Sequence, residues 1–106
     1  MRRSIPLASD EAAAVEALGK RLKLARLRRN LTQADVAERA GISRLTCIDL
    51  EAGKPGVSIA ALVRYMSVLG YPDRIAGLLE ADPIGEDLEQ VHGRKRAGVR
   101  RDVEDF

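Results

Sequence analysis

Few residues of this 106-residue chain have the type and spacing to do covalent chemistry. Its single cysteine, Cys47, falls at an inward position of a short helical stretch and reads as a packed thiol, not a nucleophile. His92 is the only histidine and has no cysteine beside it, so no zinc set forms. Asp49 and Glu51 are two residues apart, and on a helix such neighbours diverge, so they do not form a paired acid and base. No glycine-rich phosphate loop or nucleophile elbow occurs, and no cofactor is implied. The reading is of a protein that is not an enzyme. What remains is positive charge in blocks. Lys20, Arg21, Lys23, Arg26, Arg28 and Arg29 lie within ten residues free of acids. A second block holds Arg94, Lys95, Arg96, Arg100 and Arg101, although the net charge is only +2. Such blocks suit an acidic partner or a solvated helix face.

The elements that would position these groups centre on Leu31–Gly53. Thr32 is a hydroxyl N-cap, followed by Val36, Ala37 and Ala40 on one side of a helix. Gly41 permits a sharp turn and Ile42 plugs the corner. Ser43 caps a second helix with Cys47 and Leu50 inward, ending at Gly53. Two helices joined by so short a turn cross steeply, and the second projects. The positions 44, 45, 48 and 49 then lie on the face opposite Cys47 and Leu50.

The remainder reads as support. Residues 1–8 form an arm made basic by Arg2 and Arg3. Ser9 caps a first helix running to about Arg29, with Val15, Leu18, Leu22 and Ala25 facing the core. Leu24 and Leu27 lie off that stripe and are expected to widen the buried face. Asn30 ends the helix. After the loop Gly53–Gly56, Ser58 caps a fourth helix with Ile59, Leu62, Tyr65, Met66 and Leu69 inward, closing at Gly70. A fifth, shorter helix is expected from Tyr71–Asp73 through Leu79, broken at Pro83. The domain is thus residues 9–81, with 82–106 a charged extension. The aromatic content is 3%, so aliphatic and alanine contacts must supply most of the core. No apolar run could span a bilayer, and one cysteine forms no internal disulfide; a cytoplasmic protein is expected.

In their order and spacing, GKRLKLAR, LTQADVAERAGIS, IDLEAGK and VSIAALVRYMSVLG resemble the XRE-like helix-turn-helix domains of the lambda-repressor and Cro type, over roughly Leu18–Leu79. The resemblance implies an all-α, five-helix fold and a transcriptional regulator of double-stranded DNA, a dimeric repressor reading an operator of two half-sites. It places Arg44, Leu45, Ile48 and Asp49 at base edges. Gln33, Ser43, Thr46, Lys54 and Ser58 fall at phosphates, and Arg26 and Glu51 at a structural ion pair. The fifth helix, with Ile75, Leu78 and Leu79, is the expected dimer contact. An arginine fork suits guanine, and Leu45 and Ile48 suit thymine methyls. Asp49 can accept from cytosine but repels phosphate, which makes it a specificity device. The basic extension GRKRAGVRR further resembles that of HipB-like antitoxins, which pair with a kinase-like toxin and repress their shared operon. The alternative is a protein-interaction adaptor that keeps the fold without reading DNA.

Overall fold

The computed structural model describes residues 5–93; Arg2, Arg3 and the basic segment from Arg94 onward lie outside the described residues. These fall into two compact units that divide after Ile75. The first holds four α-helices: α1 (Ser9–Arg28), α2 (Gln33–Ala40), α3 (Arg44–Ala52) and α4 (Ile59–Val68). The second holds α5 (Pro83–His92). No strand occurs among the described residues, and no helix there is long and apolar enough to cross a membrane.

Short polar side chains start three of the four helices of the first unit. Thr32 Oγ1 accepts from the Asp35 amide at 3.0 Å while Asp35 accepts from the Thr32 amide at 2.8 Å, a reciprocal cap. The hydrogen bonds from Thr32 hold the Asp35 carboxyl below its ordinary value. Ser43 accepts from the Thr46 amide at 3.0 Å, and Ser58 from the Ala61 amide at 3.1 Å. Gly41 (φ 70°) and Gly53 (φ 76°) end α2 and α3 in the left-handed region, where an added side chain would be strained. For α1 the cap is Ala8, one residue before the expected Ser9, and its amide donates to Glu11 at 2.9 Å.

In the first unit α1 packs on α3, and α2 packs on both α3 and α4. The shared core is Leu22, Val36, Ala37, Cys47, Leu50, Ala61, Tyr65 and Leu69. Arg64 Nε donates to the Ala40 carbonyl at 2.7 Å, closing the end of α2. Arg29 donates to the Leu69 carbonyl at 3.1 Å and tethers the end of α1 to the end of α4. The guanidiniums of Arg74 and Arg29 lie over the Tyr71 ring, at 3.7 Å and 5.9 Å from its centre.

Several expectations are corrected. The fifth helix does not run from Tyr71 to Leu79. A single 3₁₀ turn, Arg74–Gly77, occupies that stretch, and α5 begins at Pro83. Proline lacks only an N–H that the first turn leaves unpaired anyway, so Pro83 starts the helix, with Asp82 accepting from the Gly85 amide at 3.0 Å. Ile59 is the first residue of α4 and is exposed, not inward. On α1, the buried residues are Gly19, Leu22 and Arg26, while Leu24 and Leu27 are about half exposed and do not widen the core face. Leu18 is also exposed, because α1 meets α3 along the side that carries Gly19.

Candidate nucleic-acid interface

The end of α3 is held by one carboxylate. Glu51 is buried and accepts from Arg26 twice, at 2.6 Å from Nε and 2.9 Å from the terminal nitrogen, a two-pronged pairing. Gln33 donates its amide to the same carboxylate at 3.1 Å. The Tyr65 hydroxyl donates to it as well, and its oxygen lies 3.3 Å from the Leu22 carbonyl. Arg26 also donates to the Leu31 carbonyl at 2.9 Å. Glu51 therefore ties α3 to α1, α2 and α4 at one point. Burial raises the Glu51 pKa, but the hydrogen bonds from Arg26, Tyr65 and Gln33 outweigh it, and the carboxyl sits below its ordinary range. Tyr65 is pushed up, by burial first and then by the carboxylate it faces. The cluster leaves no buried polar side-chain atom unpartnered among the described residues.

Cys47 is fully buried one turn from Glu51, with Sγ 4.0 Å from the carboxylate. Burial, reinforced by that negative charge, pushes its thiol up to about 11. Only the thiolate is nucleophilic, so a water-soluble thiol reagent at neutral pH should modify native Cys47 no faster than the domain opens. Mass spectrometry over a time course, with and without denaturant, checks this; rapid native labelling would mean an exposed thiol. Because the folded value lies above the unfolded one, Cys47 favours the folded state below the unfolded thiol's pKa. That contribution is lost as pH rises through about 11.

With one side of α3 so anchored, Arg44, Leu45 and Ile48 are left exposed and Asp49 half-buried. Arg44 borders a shallow hollow of about 450 Å³ shared with Thr32, Gln33 and Ala34 at the start of α2. On the other flank Ser43, Thr46, Asp49, Lys54 and Ser58 line a single cleft of about 420 Å³ that reaches the start of α4. Within it the Ser43 hydroxyl donates to Thr46 Oγ1 at 2.8 Å, and Lys54 Nζ lies 3.7 Å from Asp49. The helix that presents 44, 45, 48 and 49 is thus flanked by two helix N-termini, whose free amides and dipoles favour anions.

The ion pair expected between Arg26 and Glu51 is present, and buried. Two members of its cluster were not legible as such. Tyr65 reads as a core residue, and only its being tyrosine, with a hydroxyl to satisfy, hints at a partner. Gln33 reads as a surface residue, whereas its side chain turns to Glu51. Ile75 is half-buried at the end of the first unit, while Leu78 and Leu79 are exposed and follow the 3₁₀ turn. None of the three belongs to an α-helix.

A family model for the helix-turn-helix domain matches residues 17–76, more than half of the chain. The match spans α2 and α3 and most of α1, together with α4. The chain belongs to this helix-turn-helix family and is a DNA-binding regulator of lambda-repressor-like, all-α fold. No curated protein gives a match to it.

Proposed function

We propose that the protein is a sequence-specific repressor that grips double-stranded DNA as a two-fold dimer and reads the major groove with α3. The observation that carries this is the outer face of α3, with Arg44, Leu45 and Ile48 exposed and Asp49 half-buried, on a helix locked from behind by Glu51. Arg44 forks to guanine O6 and N7, and Leu45 and Ile48 meet thymine methyls. Asp49 accepts from a cytosine amino group, and Lys54 beside it offsets the carboxylate's repulsion of the backbone.

Phosphates flank the reading helix on both sides. Gln33 spends one of its two amide hydrogens on Glu51 and keeps the other for a phosphate oxygen. Ser43, Thr46, Lys54 and Ser58 serve the opposite strand from their common cleft. One short reading helix makes few base contacts, so two copies on two half-sites supply the affinity and length, with Ile75, Leu78 and Leu79 in the dimer contact. Pairing with a kinase-like toxin, as an antitoxin that represses its own operon, is a further element of the proposal. Stable co-purification with the neighbouring gene's product tests it.

A gel shift on the gene's own upstream region, against random competitor and at rising salt, tests the DNA reading. A preference for that region that survives salt is expected, since base contacts lack the salt sensitivity of phosphate contacts. Equal affinity for random DNA at every salt concentration would contradict it and favour an adaptor.

A further inference from the structure

The first helix has two apolar faces, and only one is used in the fold. Its core side carries the buried Gly19, Leu22 and Arg26. Ala13, Ala17, Lys20, Leu24 and Leu27 occupy the other side and are all exposed, Leu24 and Leu27 at 48% and 51%. Their spacing, four, three, four and three residues, is that of the contact seam of paired helices. The helix has 20 residues and is about 30 Å long, enough for a partner helix to lie along it. The residues that flank such a seam are those that choose the partner. Along the Lys20–Leu27 half of the seam they are Arg21, Lys23 and Arg28, all exposed, with Lys20 in the seam itself and no acid from Lys20 to Arg29; Glu16 flanks the half nearer the start of the helix.

We propose that this outer face of α1 is a docking seam for an acidic amphipathic helix of a partner protein. That helix carries apolar residues at alternating three- and four-residue spacing, flanked by glutamate or aspartate. Charge complementarity selects this occupant. Laid parallel, a second copy of the same face would set Lys20, Arg21, Lys23 and Arg28 against their own counterparts, which disfavours association. A DNA backbone would satisfy the cations but leave Leu24 and Leu27 against phosphate. Leu27, at the edge of the seam, also borders the hollow beside Arg44, so DNA binding must be measured alongside.

The test uses the full chain and two synthetic helical peptides of about three heptads. Both carry leucine at the seam positions; one has glutamate and the other lysine at the flanking positions. Fluorescence anisotropy should show the acidic peptide binding about tenfold or more tighter than the basic one. The L24S variant, which leaves the hollow beside Arg44 intact, should weaken this binding about tenfold or more while its thermal unfolding and DNA affinity stay unchanged, and R21E/K23E should invert the peptide preference. Equal binding of both peptides, or binding untouched by L24S, overturns the proposal. So does a loss of DNA affinity in the intact, folded L24S variant, which would assign the seam to DNA. A change from dimer to monomer in that variant on sedimentation would assign it to a second copy, and overturns it too.

Discussion

Substituting Glu51→Gln should cost the domain about 3–5 kcal/mol, because it breaks a buried pair and leaves the Arg26 charge without its counterion. The magnitude follows from burial. Arg26 and Glu51 are 7% and 8% exposed, so water does not screen the loss as it would for a surface pair worth at most about 1 kcal/mol. Glutamine has nearly the same shape, yet one of its oxygens becomes an N–H₂ that must face donors from Arg26, Gln33 or Tyr65. Urea unfolding of both proteins measures the difference. A loss below about 1 kcal/mol would mean that the cluster behaves as a surface pair.

The same residue sets a pH signature. The folded Glu51 pKa lies below its unfolded value, so its contribution is fully present above the ordinary carboxylate range. It is lost as pH falls through the folded value. The stability gap between wild type and Glu51→Gln should therefore be constant around neutrality and narrow only in acid. A gap that narrows with rising pH instead would place the carboxyl's pKa shift in the other direction.

Gly19→Ala is the second large effect, and its sign is the informative part. In an exposed helix interior, glycine to alanine gains about 1 kcal/mol of helix propensity. Here the added Cβ would lie 2.6 Å from the Glu51 carbonyl oxygen, 2.8 Å from that of Leu50 and 2.9 Å from the Gly53 amide. All three are backbone atoms that cannot rotate aside, so α1 must back away from α3. Overpacking of this kind costs about 1–3 kcal/mol, occasionally more. Retreat of α1 also draws Arg26 away from Glu51, which sits at the same crossing. A lowered melting temperature for Gly19→Ala is expected, against a small drop for the control Ala17→Gly on the exposed side. A raised melting temperature would mean that the two helices are not in close backbone contact.

These two sites show where sequence reasoning reaches and where it stops. The caps Thr32, Ser43 and Ser58 and the turns at Gly41 and Gly53 are legible because each rests on local chemistry. So are Val36, Cys47, Leu50 and Tyr65 as core, since helical period alone selects them. Gly19 is not legible, because a mid-helix glycine looks like a weak point until the neighbouring backbone is seen. Residue type misleads at Pro83, which breaks a helix in its interior but begins one at its first turn. Ile59 is apolar yet lies in a first turn that faces outward, and its exposure depends on how α4 meets its neighbours. Gln33 can serve a phosphate or a buried carboxylate, and only the approach of Glu51 from another helix decides between them.

If α3 reads base sequence through its outer face, selection of binding sites from randomised duplexes will show it. Wild type and Arg44→Ala should be compared at the same salt. Wild type should enrich one sequence with two related half-sites, and Arg44→Ala should lose its preference at one position in each half-site. A fork to guanine carries about 1–3 kcal/mol of discrimination, or roughly a fivefold to 150-fold change in base preference. Enrichment of the same sequence to the same degree by both proteins would contradict the assignment of Arg44, and no enrichment by wild type would contradict the reading of α3 as a recognition helix.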